Sequence, residues 1–315
     1  MQNEAKEPRN RKEIKPEGHG ERMEKLKTLL EAMRPRQWIK NFFIYAGILF
    51  SKNMFDLGML ATVTAGFAAF CLLTGAVYLI NDAVDSEEDK KHPEKRNRPI
   101  ASGRLEIKTA LGAATILVIL SLIFSFFLST EFLWVALLYF VVQLGYMFYL
   151  KRKVILDVFS VAAGFVLRVI AGAVIIDVEI SKWLIVSTIA VSLFLALSKR
   201  RHEIETLEND AKSHRKVLDD YDTTYLLDQM ISVVTAFTLI CYTLYTISPE
   251  TIEKFGTENL IFTIPFVLYG ILRYLYLVHK KGEGGNPEKI LVSDKPLLIN
   301  IILWIIVSGV IIYRQ

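Results

Sequence analysis

The chain has 315 residues, 52% of them hydrophobic, and a mean hydropathy of +0.35, well above the range of ordinary soluble proteins. Its two cysteines, Cys71 and Cys241, both fall inside apolar blocks and lack metal-ligand spacing, so a disulfide framework and a thiolate metal site are both set aside. The net charge of +4 says little by itself, but its distribution along the chain says much more.

Residues 1–22 are almost entirely polar and charged. They hold no cleavable signal and nothing to bury, so they are expected to form a disordered tail. From residue 23 to residue 315 the chain reads as one membrane domain. Its first candidate span, Trp38–Phe50, is weak because Lys40 and Asn41 sit near its start. The second, Gly58–Ile80, carries no charged residue in 23 positions, where roughly 20 apolar residues suffice to cross a bilayer. Further apolar blocks follow at Thr109–Leu128, Phe132–Leu150, Val158–Ile176, Trp183–Ser198, Met230–Ile247, Leu260–Val278 and Leu297–Tyr313.

Cation placement decides whether the weak block counts. With nine spans and an inner N-terminus, one side receives 11 Lys and Arg from residues 1–40, seven from 81–108, three from 151–153, six from 199–216 and four from 280–295. The other side keeps only Lys52, Lys182, Lys254 and Arg314. Omitting the first span would place the N-terminal cations outside, against the positive-inside bias. The expectation is therefore an all-α, polytopic membrane protein with nine transmembrane helices, since lipid requires backbone groups to pair within each segment. It is expected in the plasma membrane, with its N-terminus and its long charged loops at 81–108, 199–229 and 279–296 on the cytoplasmic face. Chemistry belongs on that face.

Asp82, Asp85 and Asp89 follow the second span at i, i+3 and i+7, so a helix brings them to one face, with Asn81 beside Asp85 at i+4. Three neighbouring carboxylates repel unless a cation sits among them. An all-oxygen set suits magnesium, which is held by one or two carboxylates together with substrate phosphates. The bland alternative is a solvated acidic helix end. Directly afterwards come Lys95, Arg96 and Arg98, which suit a substrate with more phosphate charge than one metal neutralises; positive-inside topology is the alternative reason for them. Arg168 lies deep in the fifth span, where an ionised group is a functional candidate by default, although Gly164 and Gly172 nearby also allow a packing role. Asp157 and Arg168 share a helix face but stand about 16 Å apart along it, too far to pair. Arg273, near an inner boundary, is expected to snorkel.

The run Asn81-Asp82 to Asp89, followed by His92-Pro93, Lys95-Arg96 and Arg98-Pro99-Ile100-Ala101-Ser102-Gly103, resembles the first aspartate motif of the UbiA superfamily of intramembrane prenyltransferases. The resemblance covers nearly the whole chain after residue 30. It is nearer still to the phosphoribosyltransferase branch in Arg34-Pro35-Arg36-Gln37-Trp38-Ile39-Lys40-Asn41, in Leu156-Asp157-Val158 with Gly164 to Arg168, and in Lys199-Arg200-Arg201-His202-Glu203. The stretch from His214 to Gln229 looks like that branch too.

That likeness implies magnesium, a phosphoribosyl diphosphate donor and a polyprenyl phosphate acceptor. It further implies that Asn41 contacts substrate and that Tyr149, Lys153 and Asp157 stand at a cavity mouth. Ordinary members carry a second aspartate motif after the sixth span, where this chain opens with Lys199-Arg200-Arg201. A donor with an additional 5-phosphate would call for such cations, and Asp219, Asp220 and Asp222 could supply a displaced acidic motif. In this reading Asp82, Asp85 and Lys40 carry the reaction, with Lys40 at the membrane edge meeting the acceptor phosphate. Asn41, Asn81, Lys95, Arg98, Tyr149, Lys153, Asp157, Lys199, Arg200 and Arg201 bind substrate. Two rivals stand beside it: a conventional prenyltransferase with an aromatic or glycerol-phosphate acceptor, and a secondary transporter. The transporter explains intramembrane charge but not an acidic helix end among so many cations, and no strong inverted repeat supports it.

Overall fold

The computed structural model describes residues 19–93, 95–207, 221, 224–281, 290 and 293–314. Among them every regular element is a helix. Most of the tail expected at residues 1–22 lies outside the described residues. Residues 19–22, however, are helical and open α1 (His19–Ala32). The segment 208–220, with Asp219 and Asp220, is also outside the described residues, as is Asp222.

After α1 the chain enters a 3₁₀ helix, Pro35–Tyr45, continued by one α turn, α2 (Ala46–Leu49). Then come α3 (Leu57–Val84), the short α4 (Ser86–Lys91), α5 (Ile107–Leu128), α6 (Thr130–Phe148), α7 (Leu156–Val174) and α8 (Lys182–Leu207). The remainder is α9 (Thr224–Ile247), a seven-residue α10 (Pro249–Phe255), α11 (Ile264–Lys281) and α12 (Lys295–Tyr313). Starts follow local chemistry: Asp56, Ser129, Ser248 and Asp294 each accept a hydrogen bond from a first-turn amide, satisfying a donor the helix leaves open.

Among the described residues, eight helices are long and apolar enough to cross a membrane. The expected first span is not one of them, because it is too short as an α-helix. It nevertheless runs end to end. Arg34, just before it, bonds Asp82 near the end of α3. At its other end the Leu49 carbonyl, and just beyond it the Met54 amide, both engage the hydroxyl of Tyr313. A 3₁₀ helix rises about 2 Å per residue against about 1.5 Å for α, so Pro35–Leu49 spans about 28 Å, close to the thickness of a hydrocarbon core. The ninth pass is thus a stretched, composite one.

Helix α7 sits at the centre, packed between α6, α8 and the first pass. Small residues permit this. A Cβ on Gly172 would overlap the Ile44 carbonyl, and one on Gly47 would come within 2.9 Å of the Ala173 backbone. One apolar core joins the first pass, α3, α6 and α7, and another joins α7, α8, α9, α11 and α12. The outer helices α5, α6 and α12 leave large apolar side chains exposed, among them Ile116, Phe127, Trp134, Ile299 and Ile306, as a lipid-facing surface requires. The chain is a multi-pass membrane protein.

Candidate active site

The acidic cluster forms where α3 ends. Asp85 closes α3 and precedes α4, with helical hydrogen bonds continuing from Asn81 to Asp85 and from Asp85 to Asp89. The near-helical run keeps the three carboxylates at one end of the bundle, but each has taken a cation. Asp82, 2% exposed, accepts from Arg34 at 2.5 Å and Arg98 at 3.2 Å through Oδ1. Arg98 also donates to Asp89 Oδ2 at 2.5 Å, so one guanidinium bridges two carboxylates. Asp85 accepts from Lys151 Nζ at 2.5 Å. Burial pushes the Asp89 carboxyl above its ordinary range, against the opposing pull of Arg98 and Lys95. Arg34 lies over the Tyr78 ring at 4.9 Å, and Arg104 grips Glu31 with two 2.8 Å bonds that hold the Glu31 carboxyl below its usual range and tie α1 to the loop carrying Arg98.

Beyond Tyr78 opens a cavity of about 220 Å³, walled by α3, α6, α7, α8 and Lys40 of the first pass. Its charged lining is Lys40, Arg168, Lys199 and Arg200, with no carboxylate among the lining residues. Tyr78, Tyr139, Gln143, Tyr146, Ser160 and Ser192 supply neutral polar groups. A separate cavity of about 660 Å³ lies at the opposite end of the bundle, with Gly47, Ser181, Tyr245 and Lys254 in its walls.

Several expected site residues sit elsewhere. Asn41, 1% exposed, is no open substrate contact: its amide donates to Cys71 and Thr74 and its carbonyl accepts from Arg168. Asp157, fully buried in the first turn of α7, is not among the residues lining the cavity; it accepts from Arg200 Nε at 2.7 Å and Tyr221 Oη at 2.7 Å. Arg200 also binds Glu203 at 2.6 Å, so its charge is already answered twice. Arg201 points away, to Asp228 and Glu205. Tyr149 is exposed and stacks with Lys153 at 5.6 Å; Tyr146, nearly one turn earlier, lines the cavity instead. The 3₁₀ turn Leu150–Arg152 swings Lys151, rather than Lys153, to the acidic cluster. Arg273 does not simply snorkel but makes a two-pronged pair with Asp294. Asn81 is half-buried on the last turn of α3, and Lys95 is half-buried beside the cluster.

Sequence reasoning missed Arg34 and Lys151 as partners of the aspartates. Both lay in segments already noted for their cations, but nothing local showed which aspartate each would meet. Backbone strain also marks this region. Ile155 has φ 69°, and the Leu156 amide donates to the Val154 carbonyl at 2.8 Å, the rare form of the tight three-residue turn. The Ile155 amide donates to Tyr221 Oη, so the loop tyrosine fixes both the turn and Asp157.

Among the described residues no three acidic, His or Cys groups converge as a ready-made metal site; the expected metal ligands Asp82, Asp85 and Asp89 are each held by a cation instead. The donor set still fits magnesium. Asp82 Oδ2 is buried with no hydrogen-bond partner, Asp89 lies within the span of the same guanidinium, and magnesium needs only one or two protein carboxylates when phosphates complete it.

The sequence signature described as the UbiA prenyltransferase family matches residues 41–292. The chain is 36% identical to the decaprenyl-phosphate phosphoribosyltransferase of Mycolicibacterium smegmatis, covering 90% of this chain and 92% of that one. It is 35% identical to the protein of that name from Corynebacterium glutamicum, covering 90% and 86%. Among solved structures it is similar to a UbiA homolog from Archaeoglobus fulgidus bound to GPP and Mg2+, with a TM-score of 0.70, 18% identity and coverage of 91% of this chain and 100% of that one. The family signature covers most of the chain and the relatives match over nine-tenths of it, and the chain belongs to the UbiA prenyltransferase family.

Proposed function

We propose that this protein transfers a 5-phosphoribosyl group from phosphoribosyl diphosphate to a polyprenyl phosphate, releasing diphosphate, as a step towards cell-envelope glycan precursors. The observation that carries it is the similarity, over nine-tenths of the chain, to relatives named decaprenyl-phosphate phosphoribosyltransferase. The cavity agrees in kind: cations without carboxylates line it, as a donor bearing phosphate at both ends of a ribose requires. A conventional prenyl transfer would need no such excess. The protein would act in the plasma membrane with its acidic cluster facing the cytoplasm.

In this reading the donor's diphosphate sits at the Asp82 end. Arg34, Arg98 and Lys151, now paired with carboxylates, turn part of their hydrogen-bonding capacity to it. Magnesium, held when bound by Asp82 and Asp89, supplies charge neutralisation on the departing diphosphate. An oxygen of the acceptor phosphate forms the new bond at the anomeric carbon while the bond to diphosphate breaks. The acceptor is already anionic near neutral pH, so no strong general base is needed, and positioning and charge stabilisation dominate. Lys40 lies beside Asn41 and so deeper than the membrane edge expected for it; with Lys199 it lines the cavity and adds charge for the two anionic partners.

The test is incubation of the purified full chain with labelled phosphoribosyl diphosphate and polyprenyl phosphates of several lengths. Labelled lipid should form with magnesium and not after chelation. No labelled lipid across all acceptors would overturn the reaction.

A further inference from the structure

Arg168 is 6% exposed, two-thirds of the way along a membrane-crossing helix. Its guanidinium donates to Asn41 Oδ1, the Gly164 carbonyl and Tyr139 Oη, each at 2.8 Å, and lies against the rings of Tyr139 and Phe165 at 4.8 and 5.5 Å. All these partners are neutral. Arg34, Arg98, Lys151, Arg200 and Arg201, by contrast, each have a carboxylate. A buried charge without a counter-charge is strongly disfavoured, and within a bilayer it marks a site whose ligand supplies the opposite sign.

The surroundings are built to present this charge. Arg168 lines the 220 Å³ cavity beside Tyr139 and Gln143. Gly164 leaves the room: a Cβ there would come within 3.0 Å of Gln143 Nε2 and 3.4 Å of Arg168 Nη1. Asn41, locked by Thr74 and Cys71, fixes Nε. Three bonds occupy three of the five guanidinium hydrogens, leaving two for a ligand.

Depth selects which anion. Through Asn41, Arg168 stands level with Thr74, eight residues before Asp82 on α3, or about 12 Å deeper. A lipid phosphate stays near the membrane surface, whereas a soluble sugar phosphate entering the cavity can reach this floor. A ribose with diphosphate at C1 and phosphate at C5 has its anionic ends separated on that scale. We infer that Arg168 is the seat of the donor's 5-phosphate, replacing the expected Arg200 and Arg201, whose charges carboxylates already answer. This rests on the reaction proposed above.

The experiment uses the full chain in detergent with magnesium and two soluble probes, ribose 5-phosphate and inorganic diphosphate, measured by calorimetry alongside donor kinetics. Arg168→Gln should weaken ribose 5-phosphate about tenfold or more and leave diphosphate within about twofold. The donor KM should rise in parallel while kcat and the acceptor KM hold. Arg168→Lys should recover part of the loss. Tyr139→Phe, which removes a partner but no charge, should keep ribose 5-phosphate affinity within a few-fold. Equal weakening of both probes, no weakening of either, or a Tyr139→Phe loss as large as that of Arg168→Gln would overturn the assignment. Arg168-dependent binding of ribose 5-phosphate in a wild-type protein that forms no phosphoribosylated lipid would instead overturn the reaction and support the subsite.

Discussion

Neighbouring side chains on an α-helix diverge by about 100°, and Arg200 and Arg201 illustrate what that does to a motif. The dipeptide reads as a single basic patch, yet one guanidinium ties α8 to Asp157 on α7 while the other ties it to Asp228 on α9. The aspartate run survived translation into space better, because its i, i+3, i+7 spacing needs only a near-continuous helix. What the spacing could not give was the partner of each carboxylate, which tertiary packing decides. Asp82 carries the open buried oxygen and Asp85 is committed to Lys151, so the two should respond differently to neutralisation. Asp82→Asn is expected to lower turnover on the order of a thousandfold, and Asp85→Asn less. Steady-state rates, with a thermal transition confirming the fold, check this; equal and mild losses would remove the cluster from the reaction. Tyr221 behaves as a fixed donor: burial and its bond to Asp157 hold the phenol well above its usual range.

At the scale of elements, the first pass was legible from charge and not from length. Its Lys40 and Asn41 break the apolar run, and only the count of cations on each side demanded a crossing there. The 3₁₀ geometry that lets so few residues reach across follows from how tightly the strand of backbone must pass α7, information that no local pattern carries. The glycines at that contact are therefore the sharpest test. Gly172→Ala should destabilise the protein on the order of 3 kcal/mol or more, because the added carbon meets backbone rather than a movable side chain. Gly112→Ala, with nothing near its added Cβ on α5, should be neutral or stabilising by up to about 1 kcal/mol. Detergent-resistant thermal transitions of the two variants give the comparison, and similar values for both would contradict the packing described.

For the whole molecule, the alternation of apolar blocks with unequal cation counts carried the architecture, and the structure added where the ends meet. The sidedness has a direct readout. On a background without Cys71 and Cys241, a cysteine at Met54 should react with an impermeant thiol reagent added outside intact cells. One at Arg104, on the Asp82 face and exposed, should react only after permeabilisation; the reverse pattern would invert the proposed orientation. The tight meeting of Gly47 with Ala173 and of Gly172 with Ile44 then acquires a further meaning. It stands between a cationic, water-accessible cavity entered from one face and the larger cavity at the other. Hydrated clefts that approach each other from opposite sides thin the insulating layer across which a cell stores its ion gradients. At this contact backbone is pressed on backbone, which leaves no space for a file of water there. The same glycines that let the chain pack closely thus keep that contact closed to water.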